Sequence, residues 1–355
     1  MDRNFFINLG KSGYAFPIGT DLIVHEATNP LELVNNGELL GKAVANAASI
    51  YQTPLAFPLM DLKIEKALIL EILGIHPEQM DTYHFDSTPS NETIHKIEDN
   101  LEKHWTHRMK ATCGALEYIT EKTNLIPVGM CIGPFSLMTK LVSDPITPVY
   151  LLGMGTNPEE DDSVSLVNRC LQLSTIVIKS YIQKQINSGA KAVIMCEPAA
   201  NKIYISPTQI EEGSDVFKTC VLEPGLEIKE TLNKNHSDLI LHDCGELTDY
   251  MIKEMIKMDP VILSLGSSRK LWEDAKIVPK NIVLYGNLPS KHFYSDEKVT
   301  EKMVAELSQE LINKMKNLGH PFILGTECDV LSVPEANDKI KSKVKILTSF
   351  SACHN

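Results

Sequence analysis

Arginine is scarce in this chain. Arg3, Arg108, Arg169 and Arg269 are the four in 355 residues. Arginine supplies the planar fork that grips carboxylates and phosphates in pairs, so a substrate bearing many carboxylates would be hard to hold. No run of five Lys/Arg occurs and the formal net charge is −12, which argues against nucleic acid and anionic membranes as partners. No stretch approaches the roughly 18 apolar residues of a membrane span. The start, Met1-Asp2-Arg3-Asn4-Phe5-Phe6, lacks the basic and apolar regions of a secretory signal. There is no GxGxxG after an early strand, hence no dinucleotide signature. Eight cysteines without a CxxC pair, in a chain without a signal, imply reduced thiols and a cytoplasmic location.

What the chain does have is alternation. Short apolar runs predict strands at 54–60, 82–85, 126–132, 192–196, 238–241, 261–265, 282–285 and 322–324. Longer amphipathic runs predict helices at 62–73, 92–122, 164–189, 249–258 and 300–318, with Gly189 and Gly319 as stops. Eight β-then-α units predict an α/β fold, a (β/α)8 TIM-type barrel with an amino-terminal extension. A doubly wound open sheet is the alternative. Hydrophobic content of 43% supports a sizeable core, and one domain is expected: an extension over 1–50 lying across one end, then a barrel over 51–355. Residues 201–212 read as a lid over the rim.

Chemistry concentrates in Leu241-His242-Asp243-Cys244-Gly245. Period two along a strand puts His242 and Cys244 on one face at its carboxyl end. Cys328 follows another strand in Leu324-Gly325-Thr326-Glu327-Cys328-Asp329. One imidazole and two thiolates make a three-ligand tetrahedral zinc site with its fourth position open, the catalytic pattern. Cys113, Cys131, Cys170, Cys196 and Cys220 read as core thiols, and Cys353-His354 at the terminus is rejected as a ligand pair. Other polar residues fall where barrel enzymes place chemistry, just after strands: Asp61, Asp86, Gly133, Glu197, Asn287 and Glu327. Each is also an ordinary turn or rim residue.

Further motifs accompany these: Gly133-Pro134-Phe135-Ser136-Leu137, Glu197-Pro198-Ala199-Ala200, Ser206-Pro207, Gly286-Asn287-Leu288 and Cys328-Asp329-Val330. With His242-Asp243-Cys244-Gly245 they resemble the uroporphyrinogen decarboxylase superfamily over roughly residues 40–350. The resemblance is greatest to its zinc-dependent, corrinoid-linked methyltransferases, of the coenzyme M and O-demethylase types. It implies zinc on His242, Cys244 and Cys328, a corrinoid (cobalamin) carried on a partner protein, and a small methyl donor or thiol acceptor. The decarboxylase proper is similar in fold, needs no metal and uses an arginine-rich amino-terminal segment. Asn8-Leu9-Gly10-Lys11-Ser12-Gly13-Tyr14 contains no arginine.

Zinc held by two thiolates and an imidazole would lower the pKa of a substrate thiol or act on a methyl ether oxygen. Glu197, Glu327 and Asn287 are the catalytic candidates, and Gly133 and Asp61 the candidates for the cofactor side of the rim. The competing readings are a metal-free decarboxylase and a non-catalytic zinc- or corrinoid-binding accessory protein. An oligomer is compatible with all three.

Overall fold

A computed structural model describes residues 2–352. Its centre is a parallel sheet in chain order: β1 (Leu55–Ala56), β2 (Ile126–Ile132), β3 (Ala192–Cys196), β4 (Asp238–Asp243), β5 (Ile262–Leu265), β6 (Val283–Leu288) and β7 (Phe322–Thr326). Every neighbouring pair is parallel, and each strand from β2 on is buried almost throughout. Unbroken Val/Ile/Leu runs form such strands because both faces of the sheet are buried. The 26-residue Asp162–Asn187 helix starts at Asp161, whose carboxylate accepts from the Ser163 and Val164 amides. The Glu301–Leu318 helix starts at Thr300 and stops at Gly319, in the left-handed region, as its sequence predicts.

The strand expected at 82–85 does not form, and the sheet has seven strands among the described residues rather than eight. Thr82 is exposed, and the Phe85 amide bonds to the Leu141 carbonyl instead of a strand. The first strand is also shorter than expected, ending before Phe57-Pro58. Beyond Pro127, β2 therefore lacks a strand on its β1 side, and side chains satisfy it. Gln185 accepts from the Met130 amide and donates to its carbonyl, and Glu65 accepts from the Ile132 amide. Buried backbone groups need such partners.

The amino-terminal segment does more than cross one end. Ala15 and Ile18 make isolated parallel bridges to Leu324 and Asp329, along the free edge of β7. Thr20 Oγ1 then donates to the Phe57 carbonyl at 2.7 Å, just past β1. The extension thus lies between the two edges of the curled sheet, as an incomplete barrel. The 92–122 run splits into helices Asn91–Glu98 and His107–Lys122. In the expected lid, a Pro207–Glu211 helix forms and Tyr204 meets Phe135 edge-on. No helix among the described residues is long and apolar enough to cross a membrane. Cys353 and His354 lie outside those residues.

Candidate metal centre

Register builds the site. Cys196 on β3 lies opposite His242 on β4, which lies opposite Ser264 on β5. Facing residues of a parallel ladder share a face, so the Ser264 hydroxyl reaches the imidazole. His242 Nδ1 stands 2.9 Å from Ser264 Oγ. The ring is 1% exposed, and its Nε2 is buried without a hydrogen-bond partner. Leaving such an atom unpaired costs about 1–3 kcal/mol, which suits a metal ligand oriented by its second nitrogen.

After His242 the chain turns sharply. The Gly245 amide donates to Asp243 Oδ1 at 2.7 Å, and Gly266 lets the Cys244 backbone pass so close that a Cβ would sit 2.8 Å from its carbonyl oxygen. This brings Cys244 to Cys328 beyond β7. The two sulfurs and an imidazole nitrogen lie within 4.8 Å of one another. Ligands of a tetrahedral ion with bonds near 2.0–2.3 Å stand about 3.5–3.8 Å apart, so little adjustment is needed.

The two sulfurs hold their protons unequally. The Cys328 hydrogen bond, helped by His242 and Lys291, draws the Cys244 thiol far below its ordinary range despite burial. The same bond, with burial, pushes Cys328 up. A divalent cation replaces such a proton and lets both sulfurs ionise. An orphaned imidazole nitrogen beside two sulfurs fits a borderline or soft divalent ion, with one position uncommitted.

Around the cluster stand residues of both kinds, expected and missed. Glu327 is 4% exposed; Ser267 donates to its Oε2 through the amide (3.2 Å) and hydroxyl (2.6 Å), and the Lys291 amide reaches Oε1 at 3.3 Å. Asn287 donates to the Gly266 and Arg269 carbonyls at 2.7 and 2.9 Å, bracing the same loop. Lys291 places its ammonium 3.4 Å from the Cys244 carbonyl. Burial works against its charge, but Cys244, Glu327 and Cys328 raise its pKa overall. Ser264 had a readable signal, a lone hydroxyl in the apolar Ile262-Leu263-Ser264-Leu265. Lys291 had none.

The remaining candidates lie elsewhere. Glu197 is 1% exposed, and its carboxylate accepts from the Phe135 and Ser136 amides at 3.3 and 2.6 Å, at the start of the Pro134–Leu141 helix. Burial pushes it up to about 7 against those bonds. It is therefore no solvated rim carboxylate. Gly133 must be glycine here, since a Cβ would fall 2.0 Å from Glu197 Oε2. Asp61 pairs with Arg108 at 3.2 Å and accepts from the Lys63 amide. None of these three joins the ligand cluster. Cys196, fully buried, has its thiol pushed well up by burial.

Parallel strands with a His-Cys-Cys cluster at their carboxyl ends define an α/β protein of barrel type with a candidate metal site at its rim. Residues 29–343 match the family model described as uroporphyrinogen decarboxylase (URO-D), and the chain belongs to that family. Among solved structures it is similar to a methyltransferase from Methanosarcina mazei, with a TM-score of 0.66 and 16% identity. That likeness covers 95% of this chain and 94% of the other, and bears on the fold. No curated protein matches the sequence.

Proposed function

We propose that the protein is a zinc-dependent methyltransferase. It moves a methyl group between a small thiol or methyl ether and the cobalt of a corrinoid held by a separate protein. The observation that carries this reading is the buried, orphaned His242 nitrogen with the Cys244 and Cys328 sulfurs within 4.8 Å of it. His242, Cys244 and Cys328 would hold the zinc, which when bound supplies a Lewis acid that makes a thiol acidic or polarises an ether oxygen. Ser264 fixes the imidazole, and Lys291 offsets the negative charge that thiolates bring. Glu327 and Asn287 hold the loops around the ligands through Ser267, Lys291 and the Gly266 and Arg269 carbonyls. Glu197 and Gly133 set the neighbouring helix start, and Asp61 stands on the β1 side where a docked corrinoid protein would meet the rim. The resemblance of the motifs and the methyltransferase of similar fold support the choice of reaction.

The family's decarboxylase activity is the second reading, favoured by the family match alone. The arginines weigh against it. Arg3 binds Asp259, Pro260 and Asn281; Arg108 binds Asp61, Val34 and Thr112; Arg169 binds Pro89, Gln172 and Asn91; Arg269 binds Asp274, Asp249 and Leu247. All four are already engaged with the protein.

The deciding experiment pairs metal analysis with a methyl-transfer assay. Purified protein should contain about one zinc per chain, the stoichiometry of a three-ligand catalytic site, and alone should move no methyl group. Methylcobalamin with a thiol, or cob(I)alamin with a methyl donor, should restore transfer, and a corrinoid protein should do so better. Equal transfer without any corrinoid sinks the reading, and carbon dioxide released from a porphyrinogen installs the decarboxylase.

A further inference from the structure

The uncommitted position of the centre has a neighbour. Met60 Sδ lies 4.0 Å from Cys328 Sγ. Two sulfurs bound to one tetrahedral ion at about 2.3 Å stand about 3.8 Å apart, so this is the spacing of adjacent ligands. The two residues are separated by 268 positions in sequence, and the fold tethers them at a second point. The Met60 amide lies beside the buried carboxylate of Asp329, the residue after Cys328. The stretch leading to Met60 is held in turn through Thr20 and the Phe57 carbonyl. The carboxylates nearby do not compete: Glu327 is occupied by Ser267 and Lys291 and Glu197 by helix amides, and the unpartnered oxygens of Asp243 and Asp329 lie outside the 4.8 Å cluster.

A thioether is a soft, neutral and weak donor that suits the same ions as thiolate. Two thiolates, an imidazole and a divalent cation sum to zero charge, and a methionine leaves that balance unchanged. A thiol entering in its place sheds its proton to solvent and coordinates as thiolate, bringing one negative charge toward the Lys291 ammonium. The methylated form of a thiol is itself a thioether, so Met60 resembles the product that must leave. Resting on the zinc reading above, we infer that the Met60 thioether closes the fourth position of the His242–Cys244–Cys328 centre and gives way to an incoming thiol.

The test is X-ray absorption at the zinc edge of the loaded protein, with the cobalt-substituted visible spectrum beside it. The parent should show three sulfurs and one nitrogen; Met60→Leu should lose one sulfur, gain a light atom and keep its melting temperature. Excess small thiol should bring parent and variant to the same three-sulfur spectrum. Two sulfurs in the parent without thiol overturn the inference and leave the zinc reading standing. A parent that takes up no metal overturns both. Should Met60→Leu misfold, the sulfur count of the parent alone decides.

Discussion

Two buried clusters sit at the carboxyl ends of the strands and treat their polar atoms in opposite ways. On the β2–β3 side, the Phe135 and Ser136 amides take up both oxygens of Glu197, while Glu65 gives Oε1 to the Ile132 amide and keeps Oε2 buried without a partner. These carboxylates finish a helix start and a sheet edge. On the β4–β7 side, His242 Nε2 is left bare, and the sulfurs have chiefly each other. Residue type does not separate the two clusters, since both are made of groups that commonly do chemistry. Satisfaction separates Glu197 from His242: both carboxylate oxygens of the first have backbone partners, and the bare nitrogen of the second, with two sulfurs beside it, is open to a ligand.

Removing a sulfur breaks the contrast most severely. Cys244→Ala or Cys328→Ala should weaken zinc binding by more than the roughly 100-fold that marks the upper end of outer-shell changes. Neither should unfold the protein, because both residues are half-buried at the rim. Competition with a chelating dye gives the affinity, and circular dichroism the fold. Parent-like affinity in either variant would falsify the ligand assignment.

The opposite cluster should answer to pH through stability. Burial raises Glu197 to about 7 from the usual 4.5 of a glutamate. The folded state holds that proton more tightly, so its stabilising contribution is complete below about 4.5 and is lost as pH rises through about 7. The span is worth roughly 3 kcal/mol. Glu197→Gln cannot titrate and matches only one of the two amides, costing about 1–3 kcal/mol. It should therefore melt below the parent at pH 5, with the gap closing or reversing by pH 8. Glu65, raised by burial to about 8, shares the window in both proteins and cancels in the difference. Parallel melting curves across that range would mean that Glu197 does not titrate as a buried carboxylate.

The clustering of His242, Cys244 and Cys328 was legible because period two and the strand ends are properties of sequence. His242 and Cys244 share a face whatever the tertiary structure, and Cys328 follows an apolar run. Glu197 looked equally promising, because a carboxylate after a strand reads the same whether it faces a substrate or a helix start 60 residues earlier. The absent strand at 82–85 misled for a related reason. Its apolar residues pack on the core, with Phe85 buried, but its amide goes to Leu141 rather than a neighbouring strand. Gln185 and Glu65 fill the gap from helices, and nothing local in sequence marks a side chain as a replacement for a strand. The extension's two bridges to β7 likewise join residues some 310 apart, beyond any local pattern.

A gentler probe separates orientation from ligation. Ser264→Ala removes the partner of His242 Nδ1 and keeps all three ligand atoms. Losing the hydrogen bond that orients a ligating imidazole costs about 10–100-fold in metal affinity. The structural cost should be about 1–3 kcal/mol, since a buried imidazole nitrogen is left without its partner. Rescue by Ser264→Thr, whose hydroxyl can take the same place, identifies the hydrogen bond as the cause. An unaltered affinity in Ser264→Ala would show that strand register alone orients the ring.

Lys291 should give the smallest effect, because its side chain is exposed and water screens it. Surface ion pairs contribute a median of about 0–1 kcal/mol, so Lys291→Met should weaken zinc binding by at most about fivefold in dilute buffer. Near 1 M salt the Debye length falls to about 3 Å, and the difference should disappear. A loss that persists at high salt would make the lysine a packing element, its stem leaning on the rim. No loss at any salt would mean that the ligands need no help with their charge. Comparing the salt series of Lys291→Met with that of Ser264→Ala isolates the two contributions, since a buried hydrogen bond is screened far less than an exposed charge.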